Sequence, residues 1–297
     1  MPSFNARSGR IYFEQRGARA NPPVLLIHGA GCQLVQWPES FIDAIVAAGY
    51  RAIVLDNRGV GLSDPIAADA PTLEQLMALA GDPGALAPAV SLSDLAADTV
   101  DLLDHVGQSG AHVIGVSMGG MIGQRMAIEH PQRVHSLTSL MSSSGNPELP
   151  QPSGEAIAAI ARTLTATDRD EAIAANRDLG VVVAGPHYDS AQYGIARFAE
   201  RAYERSFRPE AGAHHFAAVA SDGDRRDGLS KLTTAVLAIH GKADPLVAYA
   251  ASEDIAAVTP NCTLQLIDDM GHDLSEPLIE QIAAMIAAHL DAVEVTR

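Results

Sequence analysis

The chain contains 297 residues, of which 47% are hydrophobic and 19% are charged. This balance excludes global disorder, and the length suits one large α/β domain or a core domain with a second domain inserted into it. Asp and Glu number 36 against 20 Lys and Arg, giving a formal net charge of −16, which argues against nucleic acid or an anionic membrane surface as the partner.

Short apolar segments that end at a glycine or a polar cluster predict the strands. The segment Arg10–Gln15 predicts an antiparallel edge strand with Ser8-Gly9 as its turn. Six further segments are continuously apolar or nearly so, which is typical of parallel strands covered on both faces. In chain order they are Val24–Ile27, Ala52–Leu55, His112–Val116, Leu137–Met141, Ala235–Ile239 and Thr263–Ile267.

Helical patterns lie between these strands. The segment Ser91–Val106 begins with serines that can cap a helix and places its leucines on one face. A second pattern runs from residue 118 to residue 130, where Pro131 stops it, and Ser275–Leu290 forms the last amphipathic pattern. The alternation of strands and helices predicts an α/β fold with right-handed crossovers.

Two segments interrupt this alternation. Residues 66–90 are rich in Ala, Pro, Gly and Asp, and residues 146–230 hold several helical patterns without a convincing strand. We predict a core formed by residues 1–145 and 231–297, with residues 146–230 inserted after the sixth strand as a helical cap. Residues 66–90 are interpreted as an excursion at the edge of this lid. Both segments should lie over the carboxyl ends of the strands, where α/β proteins bind their ligands.

The two cysteines and the N-terminal sequence predict the cellular compartment of the protein. Cys32 and Cys262 are too few for a disulfide framework and lack the neighbouring ligands of a structural zinc site, so we expect two free, buried thiols in a reducing environment. The N-terminus has no apolar run after its first basic residue, so no signal peptide is predicted. No stretch reaches the ~20 apolar residues that a membrane helix needs, and a cytoplasmic protein is expected.

The sequence Gly115-Val116-Ser117-Met118-Gly119 matches Gly-x-Ser-x-Gly between a predicted strand and a predicted helix. In this context the motif indicates a sharp turn that lifts the Ser117 hydroxyl above the sheet edge, and small residues two positions away on either side avoid a clash. The Met118 N–H, at the helix N-terminus, would point to the place where negative charge develops on a substrate. Ser117 is therefore the predicted nucleophile and the Met118 amide a predicted oxyanion donor.

A serine nucleophile needs a base, and the chain offers 11 histidines. Only His272 lies in a short turn between the last predicted strand and the last predicted helix, at the carboxyl edge of the sheet. We therefore predict His272 as the general base. The adjacent His214 and His215 could suggest a metal site, but neighbouring residues on a helix point in different directions, and we interpret both as solvated residues of the cap.

The base in turn needs a carboxylate that orients it. Asp244 follows a predicted strand and precedes a proline that fixes the turn, so it is the predicted orienting residue. The three residues then occur in the chain order serine, aspartate, histidine. Glu148 is the one rival after the preceding strand, while Asp268 and Asp269 lie too close to His272 in sequence to be the obvious partner.

A second oxyanion donor should come from the loop after the first core strand. The sequence His28-Gly29-Ala30-Gly31 lies there, and its glycines permit a close backbone approach. We predict that the Ala30 N–H points at the same oxygen as the Met118 N–H. The loss of one such donor typically costs on the order of 10²–10³ in rate.

These motifs, together with the segment Asp56–Ser63, resemble the α/β-hydrolase family and occur in the family's order across nearly the whole chain. The chain is most similar to the serine-nucleophile bacterial branch that includes aclacinomycin methylesterases and cofactor-free haloperoxidases. The resemblance implies a mostly parallel, eight-stranded sheet with helices on both faces and a helical cap after the sixth strand. It also implies that Asp56, Arg58 and Ser63 belong to a structural turn and are not catalytic.

The serine at the elbow argues against the alkyl-enzyme chemistry of relatives that carry aspartate there. We expect hydrolysis of carboxylic esters or lactones of small-to-medium apolar substrates through an acyl-enzyme on Ser117, without a cofactor or a metal. The alternatives are carbon–carbon bond hydrolysis of β-diketone-like substrates by the same residues, and a small-molecule receptor with slow or vestigial turnover. The chain could be a monomer or a homodimer. Aromatic residues of the predicted cap could line the pocket or form the cap's own core: Tyr188, Tyr193, Phe198, Tyr203, Phe207 and Phe216.

Overall fold

The computed structural model describes residues 3–295. Its strands are β1 (Ser3–Ala6), β2 (Gly9–Arg16), β3 (Pro23–Ile27), β4 (Arg51–Leu55), β5 (Ala111–Val116), β6 (Val134–Leu140), β7 (Ala235–Gly241) and β8 (Cys262–Ile267). They form one eight-stranded sheet in the order β1-β2-β4-β3-β5-β6-β7-β8. The pairs β1–β2 and β2–β4 are antiparallel and the other pairs are parallel, which confirms the predicted fold class.

The helices follow the strands on both faces of the sheet. They are α1 (Glu39–Ala47), α2 (Leu73–Gly81), α3 (Leu92–His105), α4 (Met118–Glu129), α5 (Gly154–Thr165), α6 (Arg169–Ala184), α7 (Ser190–Tyr193), α8 (Ala199–Arg205), α9 (Pro209–Asp222), α10 (Arg226–Leu229), α11 (Ala250–Val258) and α12 (Glu276–Glu294). Three short 3₁₀ segments occupy Leu34–Gln36, Pro131–Arg133 and Ile195–Phe198. Helices α5 to α10, here called the helical insertion, lie between β6 and β7 in the chain.

Each predicted strand segment overlaps one of the strands β2 to β8, and β1 is the strand that the sequence did not predict. This strand contains four residues, of which only Phe4 is buried. It pairs with β2 across a tight turn, with Ala6 opposite Gly9. So short a strand carries little periodic signal of its own and depends on its hairpin partner.

The core consists of two apolar layers, one on each face of the sheet. Alternate residues of a strand point to opposite faces, so Leu25 of β3 packs with α3 and α4 while its neighbour Leu26 packs with α1 and α12. Both side chains are fully buried. Burial of a leucine contributes about 1.5–3 kcal/mol to stability, and this two-sided burial explains the continuously apolar strand segments.

The helical insertion is joined to the rest of the chain by buried polar contacts. Arg205 of α8 forms an ion pair with the fully buried Asp56 at 2.7 Å and donates to the Gln33 side chain at 2.8 Å. Within residues 66–90, helix α2 packs against α9 of the insertion. The helical insertion therefore lies beside the loops that follow β3 and β4, and residues 66–90 pack against the insertion.

The structure also tests for membrane-spanning helices and for cysteine pairing. Within residues 3–295, no helix combines the length and the apolar character that a membrane crossing requires. Cys32 and Cys262 are free thiols, and each is partly exposed. The expectation of free thiols is therefore confirmed, and both residues are partly rather than fully buried.

Candidate active site

The turn after β5 holds Ser117 in a strained conformation. Its φ of 54° and ψ of −119° lie in a region that non-glycine residues rarely adopt. A side chain at Gly115 would collide with the backbone of Gly119, and a side chain at Gly119 would collide with the carbonyl group of Ile27. The two glycines of the motif therefore allow β5, the turn and α4 to pack as closely as this geometry requires.

The two predicted oxyanion donors belong to Met118, which follows Ser117 in the chain, and to Ala30 in the loop after β3. A methyl group at Gly29 would lie 3.4 Å from the Ser117 Cβ and 3.8 Å from its Oγ, so the loop after β3 passes directly over the serine. Within residues 3–295, neither the Ala30 N–H nor the Met118 N–H has an acceptor from the protein. The Met118 amide also lies at the N-terminus of α4, where the helix dipole favours negative charge. Both amides are free to donate to a ligand oxygen.

His272 and Asp244 meet at the carboxyl edge of the sheet. The His272 Nδ1 lies 2.6 Å from the Oδ2 of Asp244, whose side chain is fully buried, and the Leu246 and Val247 amides donate to its Oδ1. Burial alone would raise the pKa of Asp244, but the nearby His272 and His240 outweigh it and lower this pKa to about 2. An ionised carboxylate accepts the Nδ1 proton of His272 and leaves Nε2 as the basic atom of the ring.

A second histidine, His240 at the end of β7, contacts the same carboxylate. Its Nε2 lies 3.2 Å from the Asp244 Oδ2 and 2.8 Å from the Val247 carbonyl oxygen, and its Nδ1 lies 2.7 Å from the Ser252 Oγ. Because a carbonyl oxygen only accepts, Nε2 carries the proton and Ser252 donates to Nδ1. This contact was not predicted from the sequence, although His240 precedes Asp244 by only four positions.

The rival carboxylates do not reach the His272 ring. Glu148 is exposed on the surface. Asp268 pairs with Lys242 at 2.7 Å, and Asp269 lies 3.4 Å from His187. Asp244 is therefore the carboxylate that the fold brings to His272.

His214 and His215 of α9 are both buried, so the expectation that they are solvated is wrong. The reason is that α9 packs against α2, α3, α4 and α5. The His215 Nε2 donates to the Arg58 carbonyl oxygen at 2.8 Å, and its Nδ1 accepts from the Gly31 N–H at 3.1 Å. Burial lowers the pKa of His215 to about 4, which keeps the ring neutral at neutral pH. His215 thus holds the loop that carries the Ala30 amide.

We expect His215→Leu to lower the free energy of unfolding by about 1–3 kcal/mol, because it removes both of these hydrogen bonds at ~0.5–1.5 kcal/mol each. His214→Leu is the matched control. Neither ring nitrogen of His214 has a hydrogen-bond partner in the described chain, so an apolar side chain there should be neutral or stabilising. Urea denaturation measures both variants, and equal losses of stability would contradict the bridging role of His215.

The next residue, Asp273, joins the His272 loop to the helical insertion. Its carboxylate accepts from the Ser190 hydroxyl at 2.9 Å and from the Ile195 N–H at 3.0 Å. Burial raises the pKa of Asp273 to about 6, and the two hydrogen bonds and the nearby His272 ring offset this effect only in part. A side chain at Gly194 would collide with the carboxylate, so the contact depends on a glycine there.

Asp273 should make the protein less stable as the pH rises from about 4 to about 6. Its pKa is about 6 in the folded chain and about 3.9 in an unfolded one. The folded state therefore holds the proton more tightly, and this contribution to stability is complete below about pH 3.9 and is lost as the pH rises through about 6.

Asp273→Asn removes the titration and keeps an oxygen for the Ile195 amide. We expect the stability of the variant, relative to the unmodified protein, to be higher at about pH 7 than at about pH 4, as measured by urea denaturation at both pH values. A difference that does not change with pH would show that Asp273 does not titrate in this way.

A cavity of about 190 Å³ lies over the elbow, between the sheet edge and the helical insertion. Both Ser117 and His272 line it, although within residues 3–295 no hydrogen bond joins the Ser117 hydroxyl to the ring. Such contacts are often loose before a substrate binds. Of the aromatic residues considered above, Tyr203, Phe207 and Phe216 line the cavity, whereas the other three are absent from its wall.

The cavity wall is mostly apolar and carries little charge. Within residues 3–295, its only arginine or lysine is Arg208, whose guanidinium donates to the Ser63 carbonyl oxygen at 2.6 Å and to the Gly59 carbonyl oxygen at 3.4 Å. The neighbouring polar side chains include the amides of Gln33 and Asn176. The wall therefore suits an uncharged, largely apolar ligand.

Comparison with known proteins agrees with this architecture. A rhodomycin D methylesterase of Streptomyces peucetius is 28% identical over 305 residues, which cover 96% of each chain. A 2-hydroxy-6-oxononadienedioate/2-hydroxy-6-oxononatrienedioate hydrolase of Burkholderia vietnamiensis is 30% identical over 148 residues, or 48% of this chain and 44% of the relative. The crystal structure of the enol-lactonase from Burkholderia xenovorans LB400 matches with a TM-score of 0.74 at 18% identity and covers 98% of this chain and 100% of that one.

A family model described as the alpha/beta hydrolase fold matches residues 22–276. This span runs from just before β3 to the first residue of α12 and contains the elbow, the helical insertion and the loops that carry Asp244 and His272. The resemblance inferred from the motifs is thereby confirmed. The chain belongs to the α/β-hydrolase family.

Proposed function

We propose that this protein is a serine hydrolase that cleaves carboxylic esters or lactones of small-to-medium apolar substrates. One observation carries the proposal. The strained Ser117 opens into the same cavity as His272, and the ring of His272 is bound to a buried, ionised carboxylate. A nucleophile, a base and an orienting acid in one cavity are the parts that acyl transfer requires.

In the first half of the proposed reaction, the Ser117 hydroxyl attacks the ester carbonyl carbon while Nε2 of His272 takes its proton. The Asp244 carboxylate stabilises the positive charge that forms on the ring. The Ala30 and Met118 amides donate to the oxygen of the tetrahedral intermediate. The carbon–oxygen bond to the alcohol then breaks, and His272 gives its proton to the departing oxygen, which leaves an acyl group on Ser117.

In the second half, water replaces the alcohol. His272 takes a proton from the water as its oxygen attacks the acyl carbon, and the same two amides hold the second oxyanion. When that intermediate collapses, the bond to Ser117 breaks and His272 returns the proton to the serine oxygen. The products are the free acid and the original enzyme.

The cavity and the comparisons both support an uncharged ester substrate. The wall is apolar, and its one arginine already donates to backbone carbonyl groups. The relative aligned over 96% of both chains is a methylesterase, so methyl esters belong in the first set of substrates. The helical insertion supplies much of the wall, which supports our proposal that residues 146–230 act as a cap over the core.

Carbon–carbon bond hydrolysis is the second candidate, and the Burkholderia vietnamiensis relative favours it. That relative is named for a dioate, which carries two carboxylates, and binding such a molecule calls for cationic partners. Here the guanidinium of Arg208 is engaged by backbone oxygens. We therefore place ester hydrolysis ahead of cleavage of β-diketone-like substrates.

Active-site trapping tests the proposal. The purified protein is mixed with p-nitrophenyl acetate or butyrate, with a methyl ester, or with a β-diketone, and product release is followed. A second sample is treated with an alkyl fluorophosphonate and mapped by mass spectrometry. We expect repeated turnover of the esters and one adduct, on Ser117. An adduct on another residue would overturn the assignment, and faster turnover of the β-diketone would favour carbon–carbon hydrolysis.

The receptor alternative predicts a different time course. A vestigial site would release one equivalent of p-nitrophenol per protein and then stop, because deacylation would not follow. Continued release after the first equivalent supports an enzyme. A single equivalent, with tight retention of the acyl group, would support the receptor instead.

A further inference from the structure

Two histidines and a glutamate meet at the end of the sheet opposite the cavity. His112 is the second residue of β5 and His135 the second residue of β6, while Glu294 ends α12. Since a strand advances by about 3.3 Å per residue, His112 lies roughly 16 Å from Ser117, which follows the other end of β5. The group is therefore separate from the proposed catalytic residues.

The three side chains converge on one point. One ligand atom from each lies within 4.8 Å of the others, and the His112 Nε2 is 3.1 Å from the Glu294 Oε1. Zinc binds imidazole nitrogen and carboxylate oxygen at ~2.0–2.1 Å, so neighbouring ligand atoms of a tetrahedral site lie roughly 3.3 Å apart. His112 and Glu294 already have nearly this spacing, and a modest rotation of the partly exposed His135 ring would complete it.

The surroundings of His112 orient its ring toward this point. The ring is fully buried, its Nδ1 lies 2.8 Å from the Ser136 Oγ, and the Tyr50 ring packs edge-on against it. Metal-binding histidines typically donate their other ring N–H to such a partner, which fixes the tautomer and the orientation. Without a metal ion, the His112 Nε2 carries the ring proton and donates it to the Glu294 carboxylate. When a metal ion binds, Nε2 would bind the ion instead, and the ring proton would lie on Nδ1, where the Ser136 hydroxyl can accept it.

The backbone also adapts to place the His135 ring beside that of His112. Ala111 pairs with Val134 but His112 pairs with Ser136, so His135 is the extra residue of a β-bulge. Bulges commonly redirect a side chain at functional sites. A methyl group at Gly110 would lie only 2.6 Å from the His135 Nε2, so the glycine leaves room for the ring.

We propose that His112, His135 and Glu294 bind one divalent transition-metal ion. Two imidazoles and one carboxylate with an open fourth position for water match the ligand preferences of zinc, and cobalt and nickel suit the same donors. The ion would fasten the C-terminal end of α12 to the starts of β5 and β6. Binding to the folded chain alone would raise its thermal stability.

Metal titration of the full chain tests this site. The protein is first treated with a chelator and then titrated with zinc by calorimetry and with cobalt by visible absorption. We expect one equivalent of zinc, and cobalt bands typical of a site with fewer than six ligands. His135→Ala and Glu294→Gln should each abolish this binding. His187→Ala is the matched control, because His187 also lies beside a carboxylate, Asp269, but both are largely exposed.

The titrations distinguish a zinc site formed by these three residues from zinc binding elsewhere or not at all. The proposal is overturned if the unmodified protein takes up no equivalent of zinc, or if either His135→Ala or Glu294→Gln binds it as the unmodified protein does. Both positions are partly exposed, so the variants should fold, and circular dichroism checks this. Zinc should raise the melting temperature of the unmodified protein and of His187→Ala but not that of the two site variants. The cobalt spectrum of the unmodified protein tests the site without any variant.

Discussion

Ser117→Ala should lower kcat for p-nitrophenyl butyrate by at least about 10⁴-fold, because loss of the nucleophile in a serine hydrolase can cost about 10⁶ in kcat. The variant keeps the cavity and both oxyanion amides, so KM should change little. The residual rate would come from those amides and from substrate binding. Steady-state kinetics measure the change in kcat, with fluorophosphonate-inhibited protein as the blank. Mass spectrometry of the fluorophosphonate-treated Ser117→Ala variant should show no adduct.

Ser206→Ala is the control for this experiment. Ser206 also lines the cavity, so the variant deletes a hydroxyl group from the same space without touching the elbow. We expect its kcat to remain close to that of the unmodified protein. If Ser117→Ala were as active as Ser206→Ala, turnover would not require an acyl-enzyme on Ser117, and the proposed mechanism would be wrong.

Local sequence signals predicted the parts of the molecule that local chemistry determines. Apolar segments located β3 to β7 because both faces of those strands are covered, whereas the edge strand β8 is mostly only partly buried. The elbow was recognisable because its strained turn demands glycine at positions 115 and 119. The contact between Asp244 and His272 was predictable because each follows a strand end at the carboxyl edge of a parallel sheet, where such loops meet.

Contacts between distant segments were not predictable in this way. The buried ring of His215 forms its hydrogen bonds with Gly31 and Arg58, which are 184 and 157 residues away in sequence. His112 lies in an apolar strand segment that does not indicate a metal ligand, because Glu294, which contacts it, is 182 residues away in sequence. Helix α12 also extends beyond the predicted end at Leu290. Glu294, the third residue of the proposed metal site, therefore lay outside the predicted helix.

The role of His240 shows the same limit at short range. The residue precedes Asp244 by four positions, yet its contact with the carboxylate depends on a turn that brings the Val247 carbonyl group and the Ser252 hydroxyl to the same ring. The turn is set by tertiary packing of β7 against α11. A strand-end histidine is therefore recognisable as a positioning residue only once that loop is folded.

Asp244→Asn should lower kcat by about 10⁴-fold, because it reverses the tautomer of the base. The Asp244 Oδ1 accepts two backbone N–H groups, so the amide oxygen of asparagine would take that place and its NH₂ would face the His272 Nδ1. Two donors cannot bond, so His272 would accept at Nδ1 and carry its proton on Nε2, where it cannot remove the proton of Ser117. His240 adds to this effect, because its Nε2–H also points at the atom that would become the asparagine NH₂ group, and two donors cannot form a hydrogen bond.

Asp269→Asn separates this effect from a general loss of negative charge near the base. Asp269 is three residues before His272 but pairs with the exposed His187, so its variant should retain nearly full activity in the same ester assay. The pKa of Asp244 is lowered to about 2, so the pH profile of the unmodified protein should show no inflection near the ordinary aspartate pKa of about 3.9. Equal activity in Asp244→Asn and Asp269→Asn would mean that Asp244 does not set the tautomer of His272, and the orienting role would then belong to another carboxylate.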